Sequence, residues 1–258
     1  MQCQYTKLKF KSLASGSKGN CSIVLCANTK IIIDMGISYL TFKRKIENSG
    51  IGISEFSLIL ITHSHSDHIK GLASIIKHSN IKVGMTKDMY HEFKEIIPIN
   101  RVLFLEEKNI LNDVKIDLIH TSHDTPFSYG YIIEYNNKTL VYITDTGYIN
   151  RKNLKLITGK NIYLIESNHD EELLMNGRYP HFLKQRVLSD KGHLSNKLVA
   201  EYLSKIVDEN TKYILLAHLS EENNSEDLAL AETKEKLVNK KIEIMVARQD
   251  EESPLIEV

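Results

Sequence analysis

The chain has 258 residues, of which 42% are apolar and 26% charged, enough for one large core or two small ones, so a compact globular protein is expected. Lys plus Arg and Asp plus Glu each total 33, giving zero formal net charge and no sign of a strongly basic surface. A long nucleic-acid footprint is neither required nor excluded.

The opening MQCQYTKLKF has no apolar stretch behind its basic residues, and no later run approaches the ~20 apolar residues that cross a bilayer. A cytoplasmic protein without a membrane partner is expected. Cys3, Cys21 and Cys26 are odd in number and form no C-x-x-C pair, so they read as reduced thiols rather than metal ligands.

Short β-branched runs alternate with helical patterns along the chain. Strands are expected over 22–26, 30–33, 58–62, 82–85 and 101–104. Helices fall over 40–48 and 72–78, with Ser49-Gly50 and Ser79-Asn80 as stops. Further strands follow over 114–120, 129–135, 139–144, 161–166 and 213–217. Asn136-Asn137 reads as a hairpin turn, because asparagine tolerates positive φ. Ser195 suits the N-cap of a helix whose Leu198, Val199, Tyr202, Leu203, Ile206 and Val207 share one face. A last helix near 227–238 precedes a strand over 241–247. With no linker or repeat in sight, residues 1–258 read as one domain of two similar α/β halves, sheets facing and helices outside.

The segment Leu58-Ile-Leu-Ile-Thr-His63-Ser-His65-Ser-Asp67-His68 is a buried strand running into three histidines and an aspartate on a short loop. Imidazole and carboxylate at that density indicate metal. Residues two apart on an extended loop project the same way, so His63 and His65 suit one ion while Asp67 and His68 turn toward a second. Even with 11 histidines in the chain, H-x-H-x-D-H should arise by chance in roughly one such sequence in a thousand.

T-H-S-H-S-D-H-I-K-G resembles the signature of the metallo-β-lactamase superfamily, and Ile33-Asp34-Met35-Gly36 resembles its upstream aspartate motif. His123 in S-H-D-T-P-F-S-Y-G-Y, Asp145 in Y-I-T-D-T-G and His218 in L-L-A-H-L-S follow in the family's order. The resemblance covers nearly the whole chain and implies an α/β fold, the αββα sandwich of two facing mixed sheets flanked by helices. It implies two divalent ions, the first on His63, His65 and His123, the second on Asp67, His68 and His218, with Asp145 bridging and Asp34 orienting from behind. His120 rivals His123, but the following P-x-S-x-G-Y resembles the family segment and favours His123. The His-rich set favours Zn2+, and its mixed nitrogen and oxygen character also suits Mn2+ or Fe2+.

A second layer of motifs consists of Glu166-Ser-Asn-His169-Asp170, Arg178-Tyr-Pro and Asp190-Lys-Gly-His193-Leu-Ser-Asn196. With L-A-S-G-S-x-G-N at 13–20 and the closing Gln249-Asp250-Glu251, these resemble the YycJ (WalJ) group of bacterial and phage proteins. That group is related in site design to tRNase Z and to phage cyclic-nucleotide phosphodiesterases that disarm pyrimidine cyclic-nucleotide immunity. All cut phosphodiesters, so the resemblance implies a metal-dependent phosphodiesterase.

His193 precedes a helix that Ser195 caps, where the helix N-terminus favours phosphate. Resemblance to tRNase Z implies that it protonates the leaving oxygen, with Asp67 among the catalytic groups. Glu166 or His169 would orient His193 or share its proton, and each would equally serve as a buried polar group. Lys18 and Asn20 in the Gly-rich turn, and Arg178, Tyr179 and Arg186 further on, are candidates for substrate contact, with a plain turn and solvated loop residues as the alternatives.

Neutral charge, the lack of an added nucleic-acid arm and the resemblance together favour a small nucleotide, above all a 3′,5′-cyclic one opened to the linear monophosphate. A DNA or RNA exonuclease of the YycJ type is the alternative, and a non-catalytic metal-binding regulator a third reading. Relatives are often dimers, so a homodimer is expected.

Overall fold

The computed structural model describes residues 7–238 and 240–258, so Cys3 lies outside the described residues. The first half runs β1 (Lys9–Ala14), β2 (Cys21–Leu25), β3 (Lys30–Ile33), α1 (Tyr39–Asn48), β4 (Leu58–Leu60), α2 (Ser66–Ile69), α3 (Leu72–His78), β5 (Lys82–Met85), α4 (Lys87–Phe93) and β6 (Val102–Phe104). The second runs β7 (Lys108–Leu111), β8 (Val114–His120), β9 (Tyr129–Tyr135), β10 (Lys138–Ile143), α5 (Arg151–Ile157), β11 (Ile162–Glu166), α6 (Glu171–Asn176), α7 (His181–Leu188) and α8 (Asn196–Ile206). It closes with β12 (Tyr213–Ala217), α9 (Glu226–Lys236), β13 (Glu243–Val246) and β14 (Ile256–Glu257).

Two seven-stranded mixed sheets result, in the orders β14-β1-β2-β3-β4-β5-β6 and β13-β12-β11-β10-β9-β8-β7. Each is antiparallel at one side and parallel at the other: β3 to β6 run parallel in the first sheet and β10 to β13 in the second. Parallel neighbours need crossovers, which the helices supply on the outer faces. The last strand returns to pair with β1, so the two halves are tied across the ends of the chain.

The run Ile31-Ile32-Ile33 shows why the strands are apolar throughout. Ile31 and Ile33 enter the central layer with Tyr131, Tyr142, Leu164 and Leu215 of the facing sheet. Ile32 points the other way, under Phe42 and Ile46 of α1 and Ile75 of α3. Period-two geometry thus buries every side chain of a strand covered on both faces, each worth ~1.5–3 kcal/mol. A third apolar layer packs Val199 and Leu203 of α8 against Tyr163 and Ile165 of β11.

The elements expected over 30–33, 72–78, 82–85, 114–120, 129–135 and 213–217 coincide with β3, α3, β5, β8, β9 and β12, and the others shift by one or two residues at their ends. Asn136 and Asn137 both take positive φ, 49° and 60°. β1, β7, β14 and the short helices α2, α4, α5, α6 and α7 were outside the expectation; at two to eight residues each they carry little periodicity to read. Cys21 belongs to an outer layer and Cys26 to the central one, so these buried free thiols face apart and do not form a metal pair. Among the described residues no helix is long and apolar enough to cross a membrane.

Candidate metal centre

The parallel strands of both sheets end along one edge, and the site residues follow those ends. Asp34 follows β3, His63 follows β4 at two residues' remove, Asp145 follows β10, Glu166 closes β11 and His218 follows β12. The carboxyl edge of parallel strands is where α/β proteins place their ligands. Asp34, Asp145 and His218 adopt left-handed backbone with φ of 60°, 50° and 56°. Three non-glycine residues in a region that costs ~1–3 kcal/mol each mark this edge as a built site.

The loop expected for Asp67 and His68 is instead the helical turn α2, in which His68 N–H donates to the His65 carbonyl at 2.9 Å. That turn brings Asp67 and His68 back toward the strand end that carries His63. Gly36 lies so close to the turn that a Cβ there would stand 1.7 Å from the Asp67 carbonyl oxygen. Only glycine permits that approach.

Two triads form side by side. The ring nitrogens of His63, His65 and His123 lie close enough to share an ion, and so do the donor atoms of Asp67, His68 and His218. His123 Nε2 is 3.2 Å from His65 Nδ1, and Asp67 Oδ2 is 3.4 Å from both His68 Nε2 and His218 Nε2. Asp145 stands between the triads, its Oδ2 3.2 Å from His68 Nε2 and its Oδ1 4.0 Å from His123 Nε2. His120, the alternative to His123, is exposed and lies against Tyr129 at a 56° tilt, away from this cluster.

The orientation of the rings fits metal ligation. His63 Nδ1 lies 3.1 Å from Thr62 Oγ1, while its buried Nε2 has no hydrogen-bond partner. His68 turns Nδ1 to Asp34 Oδ2 at 2.8 Å and Nε2 toward the other donors. His123 turns Nδ1 to the Gly192 carbonyl at 3.3 Å. Donors with one ring nitrogen anchored and the other converging on carboxylates suit divalent cations.

The protein's own charges are strongly coupled here. Burial opposes the imidazolium of His218, but Asp145, with contacts from Asp67 and Glu166, raises it to about 10. Burial opposes His68 too, and Asp34 and Asp145 outweigh it to hold its pKa well up. Burial would lift Asp67 and Asp145, yet the neighbouring imidazoles keep both carboxyls well below the ordinary range. His63 is pushed well down by burial.

His193 sits beside the second triad, its ring stacked on His218 at 5.5 Å. Its Nδ1 is 2.5 Å from Glu166 Oε1. Glu166 is fully buried; its Oε2 accepts the amide hydrogens of Thr146 and Leu194 at 3.0 and 3.2 Å, and its Oε1 also lies 3.3 Å from His218 Nδ1. Asp145, Glu166, His193 and His218 also stand within ligating distance of one another, but Glu166 is already committed to these donors and reads as an orienting carboxylate.

Of Glu166 and His169, only Glu166 is hydrogen-bonded to the His193 ring. His169 is buried with neither ring nitrogen hydrogen-bonded, so it does not hold His193. Asn20 was a candidate for substrate phosphate, but its buried amide donates to the Gly16 carbonyl at 3.0 Å and to Asp67 Oδ2 at 3.2 Å. Its backbone N–H donates to the Asp67 carbonyl at 2.7 Å. Ser15 Oγ accepts the His218 N–H at 2.9 Å. The Gly-rich turn therefore braces the ligand-bearing segments of both sheets.

A cleft of about 290 Å³ opens beside His193 and His218, walled by Tyr179, Leu183, Arg186 and Val187. Arg178 falls instead in a neighbouring depression with Leu173 and Glu222. Lys18 is paired with Glu221 at 2.6 Å. Two residues next to the site escaped the sequence reading. Thr62, just ahead of the His motif, donates its hydroxyl to Asp34 Oδ2 at 2.9 Å. Asp124, next to His123, lies 3.3 Å from His65 Nε2.

A family model described as a beta-lactamase superfamily domain matches residues 29–218. The chain belongs to the metallo-β-lactamase superfamily. It is 35% identical over 227 residues to exodeoxyribonuclease YycJ of Bacillus anthracis, covering 86% of each chain. Exodeoxyribonuclease WalJ of Streptococcus pneumoniae is also 35% identical, over 86% of this chain and 85% of that one. An anti-Pycsar protein of Paenibacillus xerothermodurans is 32% identical over 71 residues, 28% of this chain and 27% of its own. Among solved structures, the metallo-β-lactamase fold protein YhfI of Bacillus subtilis superposes with a TM-score of 0.76 at 13% identity, over 98% of this chain and all of that one. Human tRNase Z, short form, gives 0.63 at 13% over 95% and 98%. At such identities these two report the fold alone. The chain is thus a metal-dependent hydrolase of this superfamily, and divalent ions belong to its site.

Proposed function

We propose that the chain is a two-ion phosphodiesterase that releases nucleotides from DNA ends. The observation that carries the phosphodiesterase reading is the Glu166–His193 pair, an imidazole held at one nitrogen and facing a cleft beside two converging triads. When bound, two divalent ions supply Lewis-acid polarisation of a phosphoryl oxygen and a water nucleophile at neutral pH. In this reading His63, His65 and His123 would hold one ion and Asp67, His68 and His218 the other, with Asp145 available to both. Zn2+ suits the His-rich set.

Glu166 keeps the Nδ1 proton of His193 in place and stabilises the imidazolium, so Nε2 carries a proton into the cleft. Transfer of that proton to the departing alkoxide is general-acid catalysis, worth ~10²–10⁴-fold. Asp34 fixes His68 from behind, and Asn20 fixes Asp67.

Likeness over most of the chain to two exodeoxyribonucleases supports DNA as the substrate, ahead of the cyclic nucleotide that neutral charge, the lack of an added arm and the family resemblance favoured. A second reading, opening of 3′,5′-cyclic nucleotides, draws on the small cleft, the zero net charge and the short match to the anti-Pycsar protein. The test is chromatography of products from metal-saturated protein, beside Asp67→Ala and His68→Ala, with end-labelled linear DNA, circular DNA and a panel of cyclic mononucleotides. Mononucleotides from linear DNA alone support the first reading, and linear monophosphates from the cyclic panel alone support the second. Absence of both, at full metal content, would sink the phosphodiesterase assignment.

A further inference from the structure

Four of the five imidazoles of the two triads have an anchor for the ring nitrogen that faces away from the cluster. His63 has Thr62 Oγ1, His68 has Asp34, His123 has the Gly192 carbonyl and His218 has Glu166. These four rings are also packed, none more than 6% exposed. His65 differs. Its side chain is 34% exposed and meets the rings of His63 and His123 edge to face, so it is less enclosed than the other four.

The group facing His65 Nε2 is Asp124, with Oδ1 at 3.3 Å. The same oxygen lies 3.3 Å from His123 Nε2, at the edge of the first triad. Asp124 does not, however, join His63, His65 and His123 in a set compact enough to share one ion. Its other oxygen is engaged elsewhere: Arg186 Nε donates to Oδ2 at 2.7 Å, and Arg186 Nη2 lies 2.6 Å from the same atom. Both guanidinium contacts fall on Oδ2, which leaves Oδ1 turned toward His65.

We infer that Asp124 is the positioning residue for His65 and that Arg186 of α7 holds Asp124 in place, so that a cleft-wall helix is coupled to the first ion. The inference rests on the two-ion reading of the site. An outer carboxylate that orients a ligating imidazole and raises its basicity changes metal affinity by about 10–100-fold. Arg186 also lines the cleft, where an anionic substrate competes with Asp124 for its guanidinium. A phosphate bound there would loosen His65 on the first ion.

The test is competition of the full chain against a chromophoric zinc chelator, read as two stepwise dissociation constants. Asp124→Asn should weaken one constant about 10–100-fold and leave the other within threefold, while Asp124→Glu retains most of the affinity. Arg186→Ala should weaken the same constant by a smaller factor, and the double variant should be no weaker than Asp124→Asn. Melting curves in chelator check that each variant folds as the parent does. If the parent takes up fewer than two ions, the underlying two-ion reading fails. If it takes up two and Asp124→Asn matches it, the role of Asp124 is wrong. Complete loss of one ion would make Asp124 a ligand and overturn the positioning role, and multiplicative losses in the double variant would remove Arg186 from the chain.

Discussion

Replacing Glu166 with glutamine keeps the side chain's shape and removes its charge. In the native site Oε1 is 2.5 Å from His193 Nδ1, and Oε2 accepts two backbone N–H groups. A glutamine must aim its NH2 either at those two donors or at His193, so either both backbone hydrogen bonds or the charged contact to His193 is lost. A hydrogen bond to a charged partner is worth ~1.5–3 kcal/mol, and each ~1.4 kcal/mol is tenfold in rate. Glu166→Gln should therefore lower kcat about 10- to 150-fold, and His193→Ala about 10²–10⁴-fold. If Glu166 acts through His193, the double variant is no slower than His193→Ala. Single-turnover cleavage measures the rates, with metal content followed in parallel because Glu166 Oε1 also lies 3.3 Å from His218 Nδ1. Losses that multiply at full metal content would refute the pairing. An ester with a weakly basic aryl leaving group needs little protonation, so His193→Ala should cleave it nearly as fast as the parent.

Asn20→Ala removes the contacts to Gly16 and Asp67 and should destabilise by ~1–3 kcal/mol while weakening the ion on Asp67; unchanged melting and metal content would show the turn to be passive. In chelator, His218 is raised to about 10, above its unfolded value of ~6.5, so its stabilisation is full below that value and is lost as pH rises through about 10. Melting temperature in chelator should fall over that window and flatten in saturating Zn2+, where the ion replaces the proton; a flat chelator profile would contradict the coupling. Burial lifts the Cys26 thiol to about 12 and raises that of Cys21 still further, so mass-resolved alkylation should mark neither until the protein unfolds.

Four of the six triad ligands, His63, His65, Asp67 and His68, were legible because H-x-H-x-D-H is local: a strand end followed by one helical turn converts four ligands in six residues into two directions. His123 came instead from the family's order. Asp145 and His218 were legible only through the family's order, since nothing in Y-I-T-D-T-G or L-L-A-H-L-S announces a left-handed backbone at φ 50° and 56°. The roles of Asn20, Glu166 and Asp124 come from tertiary register. Asn20 meets Asp67 across 47 positions and Arg186 meets Asp124 across 62, separations at which residue type carries no signal. β1 was missed for a related reason. Its lysines alternate with Phe10 and Ser12, and only pairing with both β2 and β14 makes it a strand.

The neutral surface and the DNA-end reading are reconciled by where the cations stand. Arg186, which lines the cleft, is paired with Asp124, and Lys18 is paired with Glu221, another lining residue. A polymer gripped along its length would need many unpaired cations and would show a steep salt dependence, with a slope near −0.9 per phosphate neutralised. A cleft of about 290 Å³ serving one terminal nucleotide would rely on the ions, with Arg186 reached only in competition with Asp124. The Michaelis constant for linear DNA should then change with salt by a slope of roughly one to two. The same small, metal-dominated cleft would serve a cyclic mononucleotide, so on this reading the wall of Tyr179 and α7 rather than the metal centre would decide which phosphodiester is cut.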